Sequence, residues 1–339
     1  MRNWREAELD APAKPFEEFI HRAFPVTGTY RYVVYGIVVE CEFPLTSIDV
    51  AEPDVEAAIR ISLEAPAYFR ARTHGLAADP EDWFFHAVLP NGCVYMRVDE
   101  VFETIVSPNG CDVVCSRLAG VDDRSFEANL LNFVLSTSLT LRGEEPLHAT
   151  VVDLGGRVVG LLGPSGAGKS TLAAFLIAQG AKLITDDMLR LTFADGRAFA
   201  HAGPQRLKLL DEAAARLLPE AVGDGHWNAM SGKIMVQPHD PMPTRHIPQP
   251  IAALFWLDER LPAAPGDAVS STRLVGIDLV RTLSVSAMEI RYYAPDRLAR
   301  QLRFAERMAG VLPVYALRYA RSYPVLERVA EEIRRRAFP

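Results

Sequence analysis

The chain has 339 residues, of which 49% are hydrophobic and 23% charged, and its formal net charge at pH 7 is -7. This composition is that of a globular protein, and the length is sufficient for two domains. The acidic balance argues against a nucleic-acid partner. The longest apolar runs, such as residues 252–257, are too short to cross a bilayer, and the charged N-terminal stretch lacks the apolar core of a signal peptide. We therefore expect a cytoplasmic protein with no membrane partner.

Residues 29–118 are rich in β-branched and aromatic side chains, which are typical of strands. Asn91-Gly92 and Asn109-Gly110 each separate two apolar runs, and this pattern predicts β-hairpins. The sequence of this half contains no recognisable catalytic cluster. We expect a β-rich N-terminal domain built as an antiparallel meander.

A helical pattern follows from Ser125, a residue type that caps helix N-termini, to Gly143, a residue type that ends helices. Further along, strand and helix patterns alternate, with one helix over about residues 168–179. This alternation is typical of an α/β core. The sequence thus predicts a β-rich domain with a closing helix over residues 1–143 and an α/β domain over residues 144–339.

The sequence "GPSGAGKS" satisfies the phosphate-binding pattern G-x-x-x-x-G-K-[ST], known as the P-loop or Walker A motif. A strand pattern precedes it and a helical pattern follows, which is the context that the motif requires. The backbone N–H groups of such a loop surround the phosphates at the helix N-terminus. Lys169 then reaches the β- and γ-phosphates, and the Ser170 hydroxyl binds Mg²⁺. We expect ATP and Mg²⁺ as cofactors, with the nucleotide bound by Gly163, Pro164, Ser165, Gly166, Ala167, Gly168, Lys169, Ser170 and Thr171.

Two adjacent aspartates, Asp186 and Asp187, end the apolar strand pattern that follows the helix. A carboxylate at the end of a neighbouring strand is where a P-loop enzyme holds Mg²⁺. Adjacent residues of an extended chain point to opposite sides, so one carboxylate can face the metal while the other faces a phosphate acceptor. Two solvated acids at a strand end are the simpler interpretation, but the loop favours a role in metal binding or proton transfer.

The short interval between the loop and the aspartates excludes several classes of P-loop protein. Motor and transporter ATPases usually carry a long insertion here, and transporter ATPases need an L-S-G-G-Q-like signature that the sequence lacks. The sequence also lacks the guanine-reading motif N-K-x-D of GTPases. A compact loop, helix, strand and aspartate pair is typical of a phosphotransferase.

With these motifs the sequence resembles the HPr serine kinase/phosphorylase family, in particular its divergent HPr kinase-related members. Three stretches carry the resemblance. The first is "LHATVVDLGGRVVGLLGPSGAGKS", in which His148 stands where the family has a histidine before the loop. The second is the aspartate pair. The third is "YGIVVECEFPL" at 35–45, which is similar to an N-terminal signature of the kinase-related proteins. Residues 204–217 also resemble a segment that these proteins carry. The resemblance implies an α/β P-loop kinase core like the HPr kinase C-terminal domain.

The chain departs from authentic HPr kinases at two places. Their E-I-R-G signature is matched only by Glu289, Ile290 and Arg291, without the glycine. The N-terminal half does not resemble the N-terminal domain of those enzymes. Both departures count against HPr as the acceptor and against the reverse phosphorylase activity. Because kinase-related members phosphorylate a serine on precursor peptides, the resemblance implies a protein or precursor-peptide acceptor.

The family and the chemistry together give expected roles. Asp186 would accept the proton of the acceptor hydroxyl, and Asp187 would hold Mg²⁺ with Ser170. His148 would lie beside the transferring phosphate or the base, or else be a histidine satisfied by hydrogen bonds at a strand start. Which aspartate has which role stays open.

Weaker candidates lie outside these motifs. Arg206 and Lys208 alternate with leucines, so both can project toward phosphate from one strand face, or form a solvated face. Residues 223–233 form a polar stretch with Trp227, either a lid or peptide-contacting loop or merely a flexible loop. Lys233 in this stretch is a weak site candidate.

The leading interpretation is an ATP-dependent serine kinase that acts on a protein or precursor peptide. A small-molecule kinase is the first alternative, but such enzymes commonly begin at the loop, and the long segment before it here favours a macromolecular acceptor. A regulatory module that senses ATP without catalysis is the second alternative, and the intact Lys169, Ser170 and aspartate pair argue against it. A homo-oligomer is left open.

Overall fold

The computed structural model describes residues 28–76, 83–228, 231–257, 268–289, 292 and 294–338. The N-terminal stretch examined for a signal peptide, and Ile290 and Arg291, lie outside these residues. The chain divides into two compact units. The first comprises the described residues of Met1–Tyr32, Val38–Leu45 and Glu52–Arg142; the second comprises those of Val33–Ile37, Thr46–Ala51 and Gly143–Pro339. The division predicted at 143/144 stays a prediction. The units differ from it because Gly143 and the segments Val33–Ile37 and Thr46–Ala51 belong to the second unit.

An eight-stranded sheet contains the strands of the N-terminal half, in the order β3-β1-β2-β4-β8-β7-β6-β5. The strands are β1 (Tyr30–Val34), β2 (Ile37–Cys41), β3 (Asp49–Val50), β4 (Ile59–Leu63), β5 (Phe84–Val88), β6 (Val94–Val98), β7 (Phe102–Val106) and β8 (Asp112–Arg117). The helices of this half are α1 (Pro66–Arg72), α2 (Asp123–Asn129), a π-helical turn (Leu130–Val134) and α3 (Leu135–Leu141).

Only part of this sheet is the antiparallel meander that the sequence predicted. β5, β6, β7 and β8 pair antiparallel in chain order, and the two predicted Asn-Gly turns connect β5 to β6 and β7 to β8. β2–β4 and β4–β8, however, are parallel pairs. Parallel neighbours need a crossover connection, and here α1 and the meander separate β4 from β8 along the chain. The expectation of a wholly antiparallel arrangement was therefore wrong, because turn signals report only on neighbouring strands.

The helix predicted after the meander starts three residues earlier than expected, with its N-cap at Asp122 rather than at Ser125. α2 begins at Asp123, and the side chain of Asp122 caps it by accepting a hydrogen bond from the Ser125 backbone N–H at 2.8 Å. Ser125 is therefore inside the helix, because Asp122 is an equally good capping type and reaches the free N–H groups first. The helical run ends with Arg142 as its C-cap, and Gly143 follows with φ of +90°.

The second unit is an α/β arrangement around a mixed sheet with the strand order β11-β9-β10-β17-β13-β12, in which β19 pairs with β17 and β18. A separate small sheet has the order β14-β16-β15. The strands are β9 (Ala149–Asp153), β10 (Val158–Leu162), β11 (Lys182–Thr185), β12 (Leu191–Ala194), β13 (Arg197–Ala200), β14 (Leu207–Leu209), β15 (His226–Asn228), β16 (Lys233–Val236), β17 (Gln249–Leu257), β18 (Ser270–Arg273) and β19 (Val314–Arg318). The helices are α4 (Lys169–Ala178), α5 (Asp211–Leu217), α6 (Pro219–Val222), α7 (Gly276–Ser286), α8 (Pro295–Val311), a 3₁₀ turn (Tyr323–Val325) and α9 (Leu326–Ala337).

β10 lies in the centre of this sheet and is buried along its whole length. It pairs parallel with β17, which in turn pairs parallel with β19. Val159 and Leu161 pack in the core cluster that contains residues of α4 and α9, whereas Val158 and Leu162 pack in the cluster that contains residues of α7 and α8. A strand covered on both faces is uniformly apolar, as "VVGLL" is, and this burial holds the end of β10 in place.

Within the described parts of the chain, no helix combines the length and the apolar character that a membrane crossing needs.

Candidate active site

The strand order brings most of the predicted site residues to one edge of the mixed sheet. β9 lies between β10 and β11 and is antiparallel to both, so β10 and β11 run in the same direction. The loop 163–168 follows the C-terminal end of β10, and Asp186 and Asp187 follow the C-terminal end of β11. β9 begins at this edge, directly after His148. Three separate segments of the sequence therefore meet there.

The loop between β10 and α4 depends on glycine at two points. Gly163 has φ of +149°, and a Cβ atom at this position would come within 2.5 Å of the Leu257 backbone oxygen. Gly168, the N-cap residue of α4, has φ of +90°. Residues with side chains rarely adopt such conformations. The glycines of the motif thus allow the tight turn, after which α4 begins at Lys169.

The loop encloses the ammonium group of Lys169. Its Nζ donates to the carbonyl oxygens of Gly163 at 2.7 Å and Pro164 at 3.1 Å, and the residue is 6% exposed. Burial lowers the pKa of Lys169 to about 8, although the charges of Asp186 and Asp187 act in the opposite direction. A helix N-terminus favours anions. This buried cation at the start of α4 is therefore suited to bind phosphate oxygens.

Asp186 is buried and directed toward the first turn of α4. Its Oδ1 accepts a hydrogen bond from the Thr150 hydroxyl at 2.5 Å, and its Oδ2 accepts one from the Lys208 backbone N–H at 3.2 Å. The Ser170 hydroxyl lies 3.4 Å from each of the two carboxylate oxygens. Burial, and then the charge of Asp187, raises the pKa of Asp186. The carboxylate of Asp186 thus faces the hydroxyl of Ser170, whereas the sequence favoured Asp187 as the partner of Ser170 at the metal.

Asp187 has a different partner. Its Oδ2 lies 2.7 Å from Nζ of Lys208, and its side chain is 21% exposed. Burial alone would raise the pKa of Asp187, but the charges of Lys208 and His148 lower it, and the result is a pKa below the usual value. The backbone of Asp187 has φ of +68°, a region that residues other than glycine seldom occupy. Asp187 is thus an ionised carboxylate at the more open side of the pair.

His148 lies beside Asp187. Its backbone N–H donates to the Ser286 oxygen at 2.7 Å, and its ring is close enough to Asp187 for the charge of that carboxylate to act on the pKa of His148. Burial, and then the charge of Lys169, lowers the pKa of His148 to about 4. The ring is therefore neutral at pH 7 and acts there as a hydrogen-bonding group rather than as a cation.

Of the two basic residues predicted next to the site, Lys208 contacts the aspartates through both its backbone and its side chain. The Arg206 guanidinium instead donates to the Ser47 hydroxyl at 3.2 Å. The two side chains thus have different partners, although Arg206 lies directly before β14 and Lys208 within it. Ser47 belongs to one of the N-terminal segments of the second unit.

Trp227 and Lys233 lie on adjacent strands, β15 and β16, of the small sheet. Trp227 is 52% exposed. Lys233 is half-buried and close enough for its charge to lower the pKa of Lys169. Residues 229 and 230 of the predicted lid lie outside the described residues.

A cleft of about 220 Å³ opens beside the loop, on the side away from β11. Burial raises the pKa of Tyr319 in this cleft to about 12, so its hydroxyl is neutral. The Arg216 guanidinium lies 4.1 Å from the centre of the Tyr323 ring. Apolar and aromatic walls with a few polar groups are typical of small-molecule sites. The lining residues are Gly166, Ala167, Gly168, Thr171, Leu172, Tyr319, Arg321, Ser322, Tyr323 and Leu326.

Sequence reasoning missed Thr150 and the cleft residues after β19. Thr150 carried a signal: it is a polar residue inside an otherwise apolar strand pattern, two positions after His148. The residues 319–326 carried none. They reach the loop only because β19 lies beside β17, and β17 beside β10.

The residues at this edge fit a bound Mg²⁺. Mg²⁺ takes hard oxygen ligands, and in nucleotide sites one or two protein groups suffice because phosphates and waters supply the rest. The carboxylate of Asp186 and the hydroxyl of Ser170 converge on one place with such ligands. Among the described residues no group of three or more His, Cys, Asp or Glu forms a metal cluster. A site that completes its coordination with nucleotide oxygens does not need one.

Curated sequences give a partial match to this chain. The HPr kinase/phosphorylase of Limosilactobacillus reuteri, in strain DSM 20016 and in strain JCM 1112, is 34% identical over 85 residues, which cover 25% of this chain and 26% of each relative. The chain is related to the HPr kinase/phosphorylase family. The matched stretch spans about a quarter of the length of these relatives. The resemblance expected from the motifs is thereby confirmed.

The search of solved structures finds the Hpr(Ser) kinase/phosphatase from Coxiella burnetii, with a TM-score of 0.31 and 9% identity, covering 56% of this chain and 94% of that chain. This likeness is below the level at which two folds count as the same. No family model matches this HPr kinase-related chain.

Proposed function

We propose that the protein transfers the γ-phosphoryl group of ATP to a serine hydroxyl of a protein or precursor peptide. The observation that carries the proposal is the arrangement at the sheet edge. The buried Lys169 lies in a phosphate-type loop, Ser170 faces both oxygens of Asp186 at 3.4 Å, and an ionised Asp187 lies on the open side. This is the set of groups that phosphoryl transfer needs: a cation for the phosphates, metal ligands and a free carboxylate.

We assign the proton-accepting role to Asp187. A serine hydroxyl is a weak nucleophile at neutral pH, and a carboxylate beside it helps to remove its proton. In the reaction the serine oxygen forms a bond to the γ-phosphorus, the bond to the ADP oxygen breaks, and the serine proton passes to the carboxylate. Asp187 is ionised and partly exposed, whereas Asp186 is buried and already accepts hydrogen bonds from Thr150 and Lys208.

This assignment exchanges the roles that the motifs alone favoured. Asp186 and Ser170 are the residues that would hold Mg²⁺, and bound Mg²⁺ would neutralise charge on the phosphates. Thr150 orients the Asp186 carboxylate by its hydrogen bond at 2.5 Å. Lys208 keeps Asp187 ionised, and the neutral His148 can accept or donate a hydrogen bond next to the transferring group.

The cleft beside the loop supports a nucleoside triphosphate as the phosphoryl donor, because it offers a place for the base. It is continuous with the loop residues Gly166–Gly168 and with Thr171 of α4. The walls contributed by Tyr319 and Tyr323 provide aromatic surface, which suits a purine base. Phosphates in the loop and a base in the cleft would place the γ-phosphate toward Asp187.

A panel of acceptors tests this function. The full chain is incubated with ATP and Mg²⁺ together with HPr, with serine-containing peptides, and with small alcohols such as sugars. ADP release is measured, and each acceptor is weighed by mass spectrometry. We expect a gain of one phosphoryl group on a serine of a polypeptide, and no gain when that serine is replaced by alanine.

Other outcomes would select the alternatives. Phosphate found only on a small alcohol would make the protein a small-molecule kinase. Tight ATP binding with no transfer to any acceptor and no ADP release would make it a nucleotide-sensing module. Either result would overturn the proposed serine kinase.

A further inference from the structure

The strand that carries the aspartate pair, β11, lies at one end of the strand order of the mixed sheet, and residues 203–208 run beside it. The Gly203 N–H donates to the Ile184 oxygen at 2.9 Å, and the Lys208 N–H donates to Oδ2 of Asp186 at 3.2 Å. Nζ of Lys208 lies 2.7 Å from Oδ2 of Asp187. The position of the 203–208 segment along β11 therefore decides where Lys208 meets the two aspartates.

The buried side chain of Gln205 attaches this segment to β11. Its Nε2 donates to the Ile184 oxygen at 3.1 Å and to the Gly203 oxygen at 2.9 Å, and its Oε1 accepts a hydrogen bond from the Met242 N–H at 3.0 Å. A carboxamide has two N–H donors on its nitrogen, so both are used. Two carbonyl oxygens on one side and an N–H on the other also determine which way the amide points. The side chain thus connects β11, the 203–208 segment and the connection between β16 and β17.

Little slack separates Gln205 from Lys208. The Arg206 N–H donates to the Pro204 oxygen at 3.0 Å, so the backbone makes a tight three-residue turn centred on Gln205. β14 begins directly afterwards, and its buried Leu207 and Leu209 leave Lys208 on the opposite face of the strand.

The contacts of Leu207 and Leu209 set the face of β14 from which Lys208 projects. The bonds of Gln205 set the position of the segment along β11, because they join it to Ile184, two residues before Asp186. A substitution can remove these bonds, since they come from a side chain, whereas it cannot remove the backbone bond of Gly203.

We propose that Gln205 is a positioning residue for Lys208 and, through Lys208, for the aspartate pair. Its carboxamide fixes the 203–208 segment against β11, which keeps the Lys208 N–H on Asp186 and the Lys208 ammonium on Asp187. The proposal rests on the proposed function for its effect on turnover, but its effect on Lys208 does not depend on that function.

The test removes one bridging side chain at a time. Gln205→Met nearly keeps the shape of the side chain and loses all three hydrogen bonds. Thr244→Val is the matched control, because Thr244 is also buried, lies on the same connection as Met242, and bridges two backbone groups. Its hydroxyl donates to the Val33 oxygen at 2.7 Å and accepts from the Asp49 N–H at 2.8 Å.

Loss of a group that orients a metal ligand typically costs at least about 10-fold in activity or metal affinity. We expect kcat of Gln205→Met to fall about 10-fold with little change in KM for ATP, and kcat of Thr244→Val to stay at the wild-type value.

Three further measurements distinguish positioning from simple packing. Hydrogen exchange of the Lys208 amide, measured without nucleotide, should be faster in Gln205→Met than in Thr244→Val. Lys208→Met should itself lower kcat, and Gln205→Met added to it should lower kcat no further. Gln205→Glu keeps the acceptor for the Met242 N–H but places a carboxylate oxygen against two carbonyl oxygens. It should lose at least as much kcat as Gln205→Met, again only when Lys208 is present, and it decides the question if Gln205→Met does not fold.

A folded Gln205→Met variant with wild-type kcat and wild-type exchange at Lys208 would overturn the positioning role. A loss of kcat that is equally large in the Lys208→Met background, or equally large in Thr244→Val, would also overturn it, because Gln205 would then act independently of Lys208. Failure of the proposed function looks different: the wild-type chain itself would transfer no phosphate. The exchange measurement at Lys208 would still decide the role of Gln205 in that case.

Discussion

The β5–β8 meander and the edge formed by β9, β10 and β11 bury polar groups in different ways. In the meander, the Thr104 hydroxyl donates to the Val114 oxygen at 3.0 Å and the Tyr95 hydroxyl donates to Glu103 at 2.9 Å, so buried neutral donors each have a partner. At the edge the buried groups include Lys169 and Asp186, which are both ionisable and both 6% exposed.

The difference matters because burial of a charge is much more costly than burial of a hydroxyl. A buried charge can still serve the fold when its partners are all internal. Arg297, 2% exposed, pairs with Glu145 at 3.3 Å and donates to the Met288 and Tyr292 oxygens. Lys169 has loop carbonyls as partners and a pKa lowered to about 8. Such a perturbed group at the start of α4 is placed for a ligand rather than for stability.

The largest effect that this comparison predicts is on Lys169. Lys169→Ala should lower phosphoryl transfer by on the order of 10³-fold, because one preorganised charge on the phosphates is lost. The melting temperature should not fall, because the substitution also removes a buried charge. The control is Lys182→Ala, because Lys182 lies on β11 and forms an exposed ion pair with Asp240. A folded Lys169→Ala variant with normal turnover would show that this charge serves the fold, as Arg297 does.

The next effect separates the two aspartates. Asp187→Asn should lower kcat by about 10²-fold or more, the range for general-base catalysis, with nucleotide affinity retained. Asp186→Asn should instead raise the Mg²⁺ requirement for nucleotide binding by about 10-fold or more. Single-turnover rates and Mg²⁺ titrations of nucleotide binding measure the two effects. If the effects are exchanged, the proton-accepting role belongs to Asp186, as the motifs alone favoured.

The local parts of this site could be predicted from the sequence. The glycine pattern, the strand before it and the helix from 169 to 178 follow from backbone requirements that a few adjacent residues express. The Asn-Gly turns at 91–92 and 109–110 were predicted for the same reason. His148 was found through a family resemblance rather than through a physical pattern.

The non-local parts could not be predicted. The parallel pairs β2–β4 and β4–β8 depend on which strands meet, and periodicity does not encode the partner. The backbone hydrogen bonds of Tyr35 with Ala202 and Arg190 likewise bring together residues that no motif connects. The carboxylate that faces Ser170 was also undecided, because alternation along a strand gives two sides without naming them.

A smaller effect concerns the cleft. Tyr323→Ala should raise KM for ATP about 10-fold and leave kcat nearly unchanged, because stacking on an aromatic ring stabilises the bound base and not the transferring phosphate. Steady-state kinetics with ATP give both constants, and Tyr30→Ala, an exposed tyrosine of the first unit, is the control. A fall in kcat with unchanged KM would mean that the cleft does not hold the base.

The smallest effect on activity should come from the meander, whose buried polar groups we interpret as structural. Tyr95 is 4% exposed, and Tyr95→Phe removes the hydrogen bond that its hydroxyl donates to Glu103. A hydrogen bond to a carboxylate contributes about 2 kcal/mol to the free energy of unfolding. The urea concentration at the unfolding midpoint should therefore decrease, while kcat and KM for ATP stay within about 2-fold of wild type, since a typical substitution away from a site acts through stability alone. Tyr95→Phe thus tests the neutral side of the comparison as Lys169→Ala tests the charged side. A large loss of turnover in a stable Tyr95→Phe variant would contradict the separation, because it would give a hydroxyl of the first unit a part in the chemistry of the second.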